Sequence, residues 1–246
     1  MSRAALVSAQ AGFDLRLVMR NGEQILLTIL IPVVLLLGLT LTPLVSLDVP
    51  SGSARVDAAL AGVLAVAVLS SAFTSLAISI GFDRRSGALL MLATTPLSRS
   101  AILVSRCLAT LVVVLLQVIV LSITALALGW RPGIGSVLAL LVIVVAAVAF
   151  GALGFALGGA VRAEATLAVA NGIFIVALLA GGTALPVSTL PGPLSAIAEW
   201  LPTAALGDAL RCLLAGATGN VGVDMLTLLA WGAAGALIAA RTFRWD

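Results

Sequence analysis

Six apolar runs, each about as long as a bilayer is thick, constrain this chain more than anything else in it. Residues 25–47, 58–81, 101–128, 137–161, 166–186 and 222–240 are nearly devoid of charge. Twenty-odd residues rising about 1.5 Å each as a helix cover the roughly 30 Å hydrocarbon core. Hydrophobic residues make up 62% of the chain and charged ones 9%, where soluble domains carry about 25% charged. The reading is an all-α integral membrane protein with six transmembrane helices in one domain spanning 1–246. Pro32 and Pro43 do not argue against the first span, because neighbouring helices can satisfy the carbonyls that a proline frees.

Two segments differ from the spans. Residues 1–24 hold Arg3, Asp14, Arg16, Arg20 and Glu23, while Leu6, Phe13 and Leu17 fall near one helical face. That is the pattern of an amphipathic helix lying in the headgroup layer. Residues 187–221 are apolar but broken by Pro191, Pro193 and Pro202, and contain Glu199, Asp208 and Arg211. They read as two short helices, 193–200 and 203–214, that dip into the membrane and return before the last span, which the bilayer permits only where loose backbone groups are buried or wet.

The arginines orient the bundle. Arg3, Arg16, Arg20, Arg84, Arg85, Arg99, Arg106, Arg162, Arg241 and Arg244 lie at the termini or in the second and fourth links, and only Arg55, Arg131 and Arg211 lie on the other side. Cytosolic loops are enriched in such residues, so both termini and the segment 82–100 are expected in the cytosol, and 187–221 outside it. Arg106 sits close enough to the start of its span to snorkel toward the headgroups. Cys107 and Cys212 then fall on opposite sides, where no disulfide can join them.

Several functions are argued against by what is missing. There is no histidine, and no acid lies away from the ends of the spans. A proton- or ion-coupled carrier needs titratable groups near mid-membrane, a Ser-His hydrolase needs its base, and no metal site of His ligands can form. Thr74, Gln117 and Asn171 are the polar groups that could line a substrate path, although such groups more commonly bond to their own helix or a neighbour. Gly154 and Gly158, with Gly151 one turn earlier, permit close helix approach and read as packing within the subunit.

The segment 82–100, FDRRSGALLMLATTPLSRS, is too charged and short to span and too apolar to be a solvated loop. It is similar to the cytosolic loop between the second and third helices of type-2 permeases of ATP-binding-cassette transporters, with its recurring pattern Glu-Arg-Glu-x-Gly-Thr-Leu-Glu-x-Leu-Leu-x-Thr-Pro. Asp83, Arg84, Gly87, Leu89, Leu92, Thr95, Pro96, Ser98 and Arg99 fall in register with it. Arg85 stands where that pattern has an acid, Ala88 where it has Thr, and Leu90 where it has its second Glu. Pro202, Asp208 and Arg211 match a second family pattern, Leu-Pro-x-x-x-x-x-x-Asp-x-x-Arg, ahead of the last helix.

The resemblance implies a permease subunit of an ATP-driven exporter in the plasma (bacterial inner) membrane. On that basis Asp83, Arg84, Arg85, Gly87, Leu89, Leu92, Thr95 and Pro96 are expected to couple to a separate ATP-binding subunit, with Leu89 to Leu92 filling its groove and the charges pairing at the rim. Pro202, Asp208 and Arg211 would form part of an outer gate. ATP and Mg are expected on that partner, since a phosphate-binding loop of the G-x-x-x-x-G-K-[ST] kind requires a lysine and this sequence has none. A second permease copy or a paralogue is expected to complete the path. Drug, antibiotic or lipid-like cargo suits an apolar passage, in which an unpaired charge is costly. The contrasting reading is a non-transporting scaffold that recruits a cytosolic partner through 82–100.

Overall fold

In the computed structural model, the residues described are 3–42, 54–93, 98–180 and 198–242. They form α1 (Arg3–Arg20), α2 (Gly22–Leu41), α3 (Arg55–Val68), a π-helical segment (Leu69–Ser75), α4 (Leu76–Arg85), α5 (Ala88–Ala93), α6 (Arg99–Ala127), α7 (Ile134–Ala160), α8 (Ala163–Ala180), α9 (Pro202–Ala215) and α10 (Val221–Thr242). α3, the π segment and α4 make one continuous apolar helix, Arg55–Arg85.

Among the described residues, four helices are long and apolar enough to cross a membrane: Arg55–Arg85, Ser100–Ala127, Ile134–Ala160 and Val221–Thr242. The bent pair α1 and α2 raises this to as many as five, and α8 is apolar but shorter. The six spans expected from the sequence therefore stand at four to five here. The expected first span, 25–47, and fifth span, 166–186, both run into residues outside those described, as does the expected outer helix 193–200. α1 meets α2 at 70°, an angle that suits a helix on the surface followed by one that enters.

Side chains satisfy some of these helix termini. Ser98 caps α6, its hydroxyl accepting from the Ala101 amide at 3.2 Å. The Asp57 carboxylate accepts from the Ala54 amide at 2.9 Å in front of α3. Arg55 donates to the carbonyls of Leu39 and Thr42 at 2.7 and 2.8 Å, closing the far end of α2. Pro202 opens α9 at a position whose amide has no helical partner to lose.

α7 is the centre of the bundle, packed against α10, α4, the π segment, α9 and α6. Within hydrocarbon, helices gain little by hiding apolar surface from lipid, so close van der Waals approach has to hold them together. The small residues of α7 provide it. A Cβ at Gly154 would lie 2.7 Å from the Phe73 carbonyl oxygen, and one at Gly158 would lie 2.5 Å from that of Ala77 and 2.8 Å from Ile80 Cβ. The glycine spacing thus serves packing inside the subunit, against the π segment and α4. Trp130, in the turn between α6 and α7, packs into the main core. Cys107 and Cys212 are free thiols.

Overpacking this contact is expected to be costly where filling open space is not. Gly158→Val should destabilise by about 1–3 kcal/mol, lowering Tm in detergent by roughly 2–12 °C for a chain of this size. Gly38→Ala, with nothing near its Cβ, should leave Tm unchanged or slightly raised. Melting curves followed by size-exclusion chromatography would check both, and equal curves for Gly158→Val and the parent would refute the packing account.

Candidate functional site

The loop 82–100 begins as a continuation of helix. α4 runs on to Arg85, and the chain turns at Ser86 and Gly87, where φ of +75° suits a residue without Cβ. The short helix α5 then folds back onto the bundle. Leu89 is fully buried among Leu76, Ile80, Ile102, Phe155 and Ala239. Met91, two residues on, is 77% exposed. Leu89 thus anchors α5 to its own subunit, and Met91, among the described side chains of α5, faces outward. The side chain of Leu92, and the whole of Thr95 and Pro96, lie outside the described residues.

The three charges expected at a partner's rim make bonds within the chain. Asp83 accepts from Arg106 on α6 at 2.6 Å, and Arg106 Nε lies 3.4 Å from Asp14 on α1. Asp14 also accepts from Gln10 at 2.9 Å. Arg106 therefore does not snorkel to headgroups, because two carboxylates from neighbouring helices offer it a nearer counter-charge, and its side chain is only 14% exposed. Burial pushes the Asp14 carboxyl above its ordinary range, and the Arg106 guanidinium and the Gln10 amide pull it back down.

Arg84 reaches the far end of α7, donating to the carbonyls of Gly158, Gly159 and Val161 at 3.4, 3.0 and 3.1 Å. Carbonyls at a helix C-terminus lack intrahelical partners, and a cation is favoured there by the helix dipole; the Val161 carbonyl also accepts from the Thr166 hydroxyl at 3.1 Å. Arg85 pairs with Glu164 at 2.6 Å, both side chains being well exposed. The loop is thus fixed to three helices, α1, α6 and α7, by two arginines that neither motif spacing nor periodicity could match to their partners.

The outer motif lies at the other end of the same central helix. The Leu213 carbonyl of α9 abuts Gly135 at the start of α7, whereas Arg84 caps its last residues. α9 is wedged between α3, α7 and α10 with Leu206 and Leu210 fully buried. Arg211 donates to Asp208 at 2.7 Å one turn earlier, and Gly216 closes the helix in the left-handed conformation with φ of 67°.

Of the polar groups considered for a path, Gln117 is a cross-brace. Its amide donates to the Thr28 carbonyl of α2 at 2.9 Å, and its oxygen accepts from Ser71 of the π segment at 3.0 Å. Thr74 is buried in that same π segment, with its hydroxyl lacking a hydrogen-bond partner among the described residues. Asn171 is exposed on α8 and bonds to the Leu167 carbonyl of its own helix. The structure brings Gln117 to the π segment and leaves Asn171 apart.

A family model described as "ABC-2 family transporter protein" matches residues 37–241. The chain belongs to the ABC-2 transporter family. It is accordingly a multi-pass membrane permease component, not itself catalytic, of a family that works with ATP-binding partners. The ABC-2 match takes in α3 to α10 and the end of α2, so Asp83, Arg106, Asp208 and Arg211 all fall within it and Asp14 does not. No curated protein matches the chain.

The two ionic contacts of the loop differ in weight. Arg106→Leu leaves two carboxylates facing each other in a largely buried site and is expected to destabilise by about 3–5 kcal/mol. Arg85→Ala removes an exposed pair and should cost about 0–1 kcal/mol. Comparing Tm of both variants with the parent in one detergent decides it, and equal losses would refute the anchoring role of Arg106.

Proposed function

We propose that this ABC-2 chain is the membrane-spanning subunit of an ATP-driven exporter that moves a lipophilic or amphipathic molecule, drug, antibiotic or lipid-like, out of the cell. In this reading α2, the helix Arg55–Arg85, α6, α7, α8 and α10 are six spans of one permease domain. Both termini and α5 lie in the cytosol of the plasma membrane. Two such subunits, identical or paralogous, enclose the path, and a separate subunit binds ATP and Mg.

The observation that carries the proposal is the way α5 is held. It is short, pinned by Leu89 and bracketed by Arg84 and Arg106, so it can transmit force without yielding, and it turns Met91 outward. Met91, Phe82 and the outer part of Arg85 form the contact with the ATP-binding subunit, while Asp83 and Arg84 pass its movement to α1, α6 and α7. α9, carrying Pro202, Asp208 and Arg211, acts at the opposite end as part of the outer gate. Thr74, with its unbonded hydroxyl in the π segment, is the best placed of the polar residues to meet cargo.

Met91→Asp should abolish copurification with the cognate ATP-binding subunit and reduce coupled transport at least tenfold, because a carboxylate cannot be desolvated in an apolar groove without a partner. Its Tm should match that of the parent, since the side chain is exposed. Undiminished copurification and transport in Met91→Asp would overturn the docking assignment.

A further inference from the structure

A cavity of about 470 Å³ lies between α1, α2, the π segment, α4 and α6, a volume within the range of small-molecule sites. Its lining is mixed: Asp14, Asp83, Arg106 and Ser79 are polar, and Leu17, one turn from Asp14 on α1, and Val113, two turns from Arg106 on α6, are apolar. The charges of the lining do not balance. Two carboxylates face one guanidinium, which lies 2.6 Å from Asp83 and 3.4 Å from Asp14. Asp14 is 2% exposed; its Oδ1 accepts from Gln10 at 2.9 Å, while its Oδ2, in an ion pair 3.4 Å from Arg106 Nε, receives no hydrogen bond among the described residues. The nearby arginines do not supply the missing charge, since Arg16 and Arg20 sit on the exposed face of α1 and are not among the lining residues.

A buried carboxylate oxygen without a donor is costly, and the group that would satisfy it is an N–H donor carrying positive charge. The apolar part of the lining suits a hydrocarbon or ring system. We infer that this cavity binds the ammonium head of a cationic amphiphile, with Asp14 as its principal counter-charge and the tail lying along Leu17 and Val113. The inference rests on the exporter reading and names its cargo class as amphiphiles bearing a protonated amine. The site lies within one subunit and includes α1, which stands before the region matched by the family.

The test uses the full chain in nanodiscs of zwitterionic lipid and two probes with the same fluorophore. Dansylcadaverine carries an ammonium, and dansylaminoundecanoic acid carries a carboxylate. Saturable emission above that of empty nanodiscs is expected for dansylcadaverine, with binding of the acid at least tenfold weaker. Asp14→Asn should weaken dansylcadaverine binding at least tenfold. Thr110→Leu, which fills the cavity without altering charge, should do the same if Asp14→Asn fails to fold. Glu164→Gln, an exposed acid near the same loop, should leave binding as it is. No saturable signal, equal or tighter binding of the acid, or unchanged binding in the folded variants would each overturn the inference. These readouts do not involve the ATP-binding subunit, so failure here is separable from failure of Met91 docking.

Discussion

The close approach of α7 to the helix Arg55–Arg85 is the contact on which the rest of this subunit depends. Lipid tails compete on equal terms with leucine and valine for apolar surface, so greasiness alone cannot hold the bundle together. What distinguishes this pair is the absence of side chain at Gly154 and Gly158, which lets the carbonyls of Phe73 and Ala77 sit where a Cβ would otherwise be. The other helices are arranged on this pair, α10 and α9 against α7, and α8 against α4. Arg84 bonds to the carbonyls immediately after Gly158, so packing and polar anchoring meet at one point.

Charge is used sparingly and locally. Arg55 and Arg84 each close a helix end, Arg106 joins α6 to α4 and α1, and Arg211 pairs with Asp208 one turn earlier in α9. Arginine suits these places because its planar fork offers several donors from one side chain and remains charged when half buried. The result is a protein whose two ends are tied by polar bonds and whose middle is tied by fit. The Ser71–Gln117–Thr28 brace is the exception, a hydrogen-bonded crossing between three helices.

Much of the fold was legible because charge punctuates the sequence. The helix limits at Arg55, Arg85, Arg99 and Thr242 fall close to the edges read from composition. The two motifs were also legible, being carried by local spacing. Pairings across long separations were not. Asp14 and Arg106 lie in segments that look independent, and nothing in either one signals the other. The orientation of α5 was hidden for a different reason. Six residues make under two turns, so no period distinguishes an inward Leu89 from an outward Met91. The π segment gave no sign either, since Leu69–Ser75 has no proline or glycine to mark it.

Arg55 bonds back to Leu39 and Thr42, so α2 and α3 are latched together by atoms belonging to the helices and their immediate flanks. Lengthening a connection whose ends are already fastened adds only about 0.6 kcal/mol per doubling. The connection between α2 and α3 is therefore a natural place to graft a peptide tag or a small reporter domain, and the helices on either side would keep their mutual alignment.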